Sequence, residues 1–236
     1  MSPPGHNALD LLLVALAIVV LPALSILAGR RLDGAPSASL VPRYWFTIVR
    51  GWLVVALVAW VWRDRPLSWL GFDMPIGLLG LVGLGVVAMI AIAMLAQLTR
   101  PLQAQKPERL AALKKQMAEI KILPRTPSEF QVFLLVAVTA GVWEELLYRG
   151  FLFWFFAEYG LVASVAISTI AFGAGHLYQG VRGGMRAFAL GLAFAVAYAL
   201  TSSLWWLIAI HALVDIFGGV TGRRLSKLPE TANAAA

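Results

Sequence analysis

The sequence predicts an all-α fold: a polytopic transmembrane helical bundle of about seven membrane-spanning helices, with one amphipathic helix lying on the cytoplasmic surface. Three observations carry this reading. Only 13% of the 236 residues are charged and 60% are hydrophobic, whereas soluble domains average roughly 25% charged. The apolar residues gather into runs close to the ~20 residues that a helix needs to cross the hydrocarbon of a bilayer. The Lys and Arg residues fall between those runs, almost all on one side.

The first run is Ala8–Ala28. Arg30 and Arg31 follow it, and Met1–Leu9 holds no Lys or Arg. A signal peptide places its positive residues before the apolar stretch, so this pattern predicts a retained helix with its N-terminus outside. The next runs are Tyr44–Trp62 and Ile76–Leu98. Gly77, Gly80, Gly83 and Gly85 stripe the latter and permit close helix approach. Arg100–Ser128 is the long connection. Within it Leu110, Leu113, Met117 and Ile120 recur at helical spacing, and Lys114, Lys115, Glu119 and Lys121 occupy the rest of the turn. That is the pattern of an interfacial helix resting on anionic lipid; docking of a partner is its other use. Thr126, Pro127 and Glu129 read as N-cap, first and third helical positions, so the fourth run, Pro127–Ala157, starts there. Leu161–Leu177, Met185–Leu200 and Ser203–Val220 complete the seven.

With the N-terminus outside and the C-terminus cytoplasmic, fifteen Lys and Arg lie inside. Arg63 and Arg65 lie outside, and Arg50 and Arg149 sit within helices. This follows the positive-inside rule. Trp60, Trp62, Trp69, Trp154, Trp205 and Trp206 then fall near the outer boundary, where an aromatic belt belongs. The net charge of +7 is explained by topology and anionic lipids at the cytoplasmic face, with no nucleic-acid partner expected. The chain has no cysteine, so thiol nucleophiles, disulfides and Cys-ligated metals are excluded.

A charge near the bilayer centre costs about 2.5–3.5 kcal/mol, and the fourth run places three ionisable groups in six residues: Glu144, Glu145 and Arg149. Glu144 stands about 22 Å along the helix from Glu129. Glu145 and Arg149 are four apart, the favourable order for an ion pair. Glu144 has no partner in its own helix and needs one from another; a clamp in which both glutamates share Arg149 is the structural alternative. Phe172 and His176 share a face of the fifth run, with Gly173 and Gly175 between them leaving room for a neighbouring backbone or a water. His211 and Asp215 share a face of the last. Glu144, His176, His211 and Asp215 read as one polar pocket. A carboxylate with imidazoles can take a proton from water and return it to a leaving amine, and a second imidazole can donate to an oxyanion. No G-x-S-x-G elbow is present, so a covalent intermediate is disfavoured. Two His and a carboxylate are also a catalytic zinc set, although H-E-x-x-H is absent.

Glu144-Glu145-x-x-x-Arg149, Phe172-x-x-x-His176 and His211-x-x-x-Asp215, in this order on three helices, resemble the CPBP family, which comprises the CAAX prenyl protease 2, Abi and bacteriocin-processing proteins. The resemblance covers about 90 residues. It implies a glutamate-dependent intramembrane endopeptidase with no metal, cofactor or covalent intermediate, acting on a membrane-embedded or membrane-associated peptide. Carried over, Glu144 activates water, His176 holds or deprotonates it, and His211 and Asp215 line the oxyanion side. Glu145, Arg149 and Phe172 support them. The better-known CAAX enzymes have Asn where this chain has Asp215. An ionised Asp only accepts hydrogen bonds, so either burial keeps Asp215 protonated or Asp215 orients His211 by accepting its ring proton; the second is expected. The implied organisation is residues 1–125 as three helices plus the surface helix, 126–222 as the catalytic core and 223–236 as a cytoplasmic tail, in a bacterial inner membrane. Two other readings stand beside the protease: a non-catalytic member acting in bacteriocin immunity or as a peptide-binding scaffold, and a proton-coupled transporter. No inverted repeat supports the transporter.

Overall fold

The structure, a computed structural model, describes residues 6–34, 39–74, 77–100, 106–118 and 120–228. Ile76, Glu119 and the tail from residue 229 onward therefore lie outside the described residues. Among the described residues eight helices organise the fold: α1 (Ala8–Arg30), α2 (Val41–Trp62), α3 (Leu78–Thr99), α4 (Pro107–Ala118), α5 (Pro127–Tyr159), α6 (Leu161–Gly175), α7 (Leu177–Thr201) and α8 (Leu204–Ser226). All but α4 and α6 are long and apolar enough to cross a membrane. No strand occurs among the described residues. The protein is an all-α, multi-pass integral membrane protein, and Leu, Ile and Val side chains cover its outer surface where lipid replaces water.

Local chemistry sets the helix starts. Asn7 caps α1 through a capping box with Asp10, and Thr126 caps α5 with Glu129 in the same way. Both acids also reach other elements. Asp10 is fully buried and receives both Arg65 Nη atoms, at 2.6 and 2.8 Å. Glu129 Oε1 accepts the Leu40 N–H at 3.0 Å. One pair ties α1 to the segment after α2; the other ties the start of α2 to the start of α5, so these two helices run parallel. Trp62 and Trp154 belong to the first of these locks, with the Arg65 guanidinium 5.2 and 4.7 Å from their rings. Trp62 is buried against protein, which corrects its assignment to a lipid-facing belt. Trp60 and Trp205 are exposed, as belt residues should be.

Three elements differ from expectation. The α5 span is interrupted by a π-helical stretch, Leu146–Phe151, directly after Glu145; π insertions concentrate at functional sites. The α7 span starts at Leu177, ahead of Met185, because Arg182 and Arg186 sit on its exposed first turns and do not end the helix. The last helix continues past Val220 to Ser226. Arg224 there donates to the Leu98 and Arg100 carbonyls at the end of α3, where free helix C-terminal carbonyls favour a cation.

Short α6 positions the site. Its 15 residues span about 22 Å, less than the ~30 Å of hydrocarbon, and it ends at His176 in a turn packed on α1. A turn at membrane depth must satisfy its own backbone. Here His176 N–H donates to Gly173 O, Gln179 N–H to His176 O, and Tyr178 N–H to Ser25 Oγ. Gly29 gives the close approach: a Cβ there would stand 2.9 Å from Tyr178 Cα.

Candidate active site

Helix α5 projects Glu144 and Glu145 into the protein just before its π-helical stretch, and the two carboxylates have different partners. Glu145 is fully buried. Its Oε1 accepts from Arg149 Nη1 at 3.0 Å and lies 2.6 Å from His211 Nδ1. Arg149, also fully buried, donates through Nη2 to the Gly191 carbonyl at 3.1 Å and stacks 4.3 Å from the Phe172 ring. Arg149 thus pairs with Glu145, and Glu144 is left facing elsewhere.

What Glu144 faces is two imidazoles. His176 Nε2 and His211 Nε2 each lie 3.8 Å from the same oxygen, Glu144 Oε2, and that oxygen has no hydrogen-bond partner among the described residues. The other ring nitrogens determine the tautomers. His176 Nδ1 is 2.8 Å from the Phe172 carbonyl. A carbonyl only accepts, so Nδ1 carries the hydrogen. His211 Nδ1 faces the arginine-paired carboxylate of Glu145 and carries its hydrogen for the same reason. Both Nε2 atoms are therefore turned toward Glu144, free to accept when the ring is neutral or to donate when it is protonated.

The expected Glu144, His176, His211 and Asp215 come together from α5, the end of α6, and α8. One detail is corrected. Asp215 does not accept the His211 ring proton, since its Oδ2 lies 3.8 Å from Nε2 while Glu145 holds Nδ1. The i to i+4 spacing of His211 and Asp215 makes them neighbours but points the ring's inner nitrogen across to α5. Asp215 is the most open of the four, its side chain 36% exposed against 7% for His211, so the site opens on the Asp215 and His176 side.

Phe172 is the keystone of the floor. Its ring lies 4.5 Å from the His176 ring, 6.1 Å from His211 and edge-on to Tyr148. Gly173 admits Phe188 of α7, and Gly175 admits the Tyr148 hydroxyl, 3.1 Å from where a Cβ would stand. The space that the two glycines leave is thus taken by neighbouring side chains and helix. Sequence reasoning missed Gly191, whose carbonyl serves Arg149. It also gave no role to Tyr148, Tyr178 or Arg50; Arg50 carried a signal, a lone charge in the middle of an apolar run.

In comparison with known proteins, the family of type II CAAX prenyl endopeptidases, Rce1-like, matches residues 126–217. No curated protein and no solved structure matches the chain. The matched segment begins at the Thr126 cap of α5 and ends just after Asp215, enclosing both glutamates, Arg149, Phe172, Gly191 and both histidines of the cluster. Residues 126–217 are thus similar to the type II CAAX prenyl endopeptidases, and the chain is a multi-pass membrane protein carrying that matched segment.

Proposed function

We propose that the protein hydrolyses a peptide bond in a membrane-associated peptide or protein with water activated by Glu144, without a covalent intermediate. The observation that supports this most directly is the convergence of two imidazole Nε2 atoms on one otherwise unpartnered Glu144 oxygen. A water held between Glu144 and His176 gives a proton to Glu144 as its oxygen attacks the scissile carbonyl carbon. His211, with Glu145 behind its Nδ1–H, donates from Nε2 to the oxyanion as an imidazolium stabilised by that carboxylate. Glu144 then passes its proton to the leaving nitrogen, the C–N bond breaks, and a carboxylate and an amine are released. Among the described residues no three His, Asp or Glu side chains stand in a metal-ligating arrangement, and the scheme takes its base, acid and electrophile from side chains alone.

The positive-inside bias supports an N-terminus outside and a cytoplasmic C-terminus. On that reading Arg109, Lys114 and Lys115 of α4 would meet anionic headgroups on the inner surface. The deciding experiment assays the purified chain in liposomes against prenylated and unprenylated peptides, with Glu144→Ala as control. Cleavage by the wild type that falls at least ~100-fold in the variant is the expected result. Binding without cleavage by the wild type would assign the protein to the non-catalytic, peptide-binding or bacteriocin-immunity reading.

A further inference from the structure

Arg50, next to the site, has no counter-ion among the described residues. It lies nine residues into α2, about 14 Å along the axis and so roughly midway through the hydrocarbon, too deep for a headgroup phosphate to meet it. Arg149 and Arg65 are each neutralised by a buried acid. Arg50 has no such partner among the described residues. Its guanidinium lies 5.3 Å from the ring centre of Trp143, the residue preceding Glu144, and its Nε has no hydrogen-bond partner. Trp143 is buried, and its indole Nε1–H also has no hydrogen-bond partner among the described residues. Gly51 allows this packing, since a Cβ there would stand 2.6 Å from Trp143 Cδ1. Arg50 lies within electrostatic reach of Tyr148 and Tyr178, as does Glu144. The cation therefore packs on the residue next to the water-activating carboxylate, Glu144.

Two unpartnered donors, one cationic, call for an anionic acceptor with more than one oxygen, and arginine's fork matches a carboxylate. In a site that cleaves peptides the available carboxylate is the free C-terminus. We propose that Arg50, assisted by Trp143 Nε1–H, binds the C-terminal carboxylate of the peptide substrate and holds the bond to be cleaved near Glu144. This rests on the hydrolytic reading, and it makes the protein selective for tails with a free end over internal segments. It also accounts for a charge at a depth that membrane insertion penalises.

The test uses the full chain in liposomes and two probes: an S-farnesylated peptide ending Cys-aliphatic-aliphatic-X as the free acid, and the same peptide as the C-terminal amide. Binding is measured on the Glu144→Gln protein, so that turnover plays no part. The acid is expected to bind at least about ten-fold more tightly than the amide. Arg50→Gln should bring the ratio close to one, Arg50→Lys should restore part of it, and Trp143→Phe should reduce it. In the active enzyme, Arg50→Gln should raise KM for the acid. Equal binding of acid and amide to the protein with Arg50 intact, or binding of neither, overturns the proposal even if a variant fails to fold. A preference that survives Arg50→Gln overturns it too. An Arg50-dependent preference with no cleavage by the wild type would leave the carboxylate site standing and defeat the hydrolytic reading.

Discussion

Glu145 Oε1 stands 2.6 Å from His211 Nδ1, and this contact, made across 66 residues of sequence, separates the jobs of the two adjacent glutamates. Glu145 also neutralises a fully buried arginine. Removing one partner of a buried ion pair costs about 3–5 kcal/mol because the other charge is left uncompensated. Glu145→Gln is therefore expected to lower thermal stability in detergent as well as activity. Glu144→Gln should abolish peptide cleavage with a melting temperature near that of the wild type. Equal destabilisation by both would show that the glutamates act together as a clamp.

Because Glu145 orients His211, the charge on Asp215 is not needed for that purpose. Asp215→Asn is expected to retain activity within a few-fold of the wild type or to exceed it, since an amide can donate to an oxyanion and an ionised carboxylate cannot. Asp215→Ala removes both possibilities and should fall ~10-fold or more, by analogy with the loss of an oxyanion donor. Initial rates on one peptide compare the three proteins, and an Asn variant as poor as the Ala variant would mean that the negative charge itself matters.

Gly191 of α7 is where the backbone must come close. A Cβ there would lie 2.9 Å from Phe172 Cδ1 and 3.4 Å from Arg149 Nη2. Gly191→Ala should destabilise by about 1–3 kcal/mol through overpacking and should impair catalysis by pushing Phe172 against both imidazoles. Denaturant unfolding in mixed micelles measures the first effect and peptide turnover the second. A silent substitution would mean that α7 can shift away from the site.

Metal chelation distinguishes the glutamate scheme from a zinc enzyme. Preincubation with phenanthroline or EDTA, followed by the peptide assay, is expected to leave activity unchanged. Loss on chelation and recovery with Zn²⁺ would require the two imidazoles and Glu144 to close around an ion.

The orientation can be tested cleanly because the chain has no cysteine. Single cysteines introduced at Asp64 and at Ser226 should react with a membrane-impermeant maleimide from opposite sides. Asp64 is expected to label in intact cells and Ser226 only after permeabilisation; the reverse pattern would invert the topology.

Much of the protein is readable along the chain, for a physical reason. Lipid demands long apolar helices and punishes stray charge, so hydropathy marks where most of the spans lie, and Glu144, Glu145, Arg149, His176, His211 and Asp215 stand out as charges or imidazoles where none should be. Helix caps are local as well, and Thr126 with Glu129 declares the start of α5. What the tertiary structure decided is which atoms meet. Spacing of four makes His211 and Asp215 neighbours but does not say that the ring turns its Nδ1 to Glu145. Nothing local marks Gly191 as the acceptor for Arg149, Trp62 as a buried residue, or Asp10 as the partner of Arg65. These contacts join helices far apart in sequence, and their geometry comes from how those helices cross, which no single run of residues encodes.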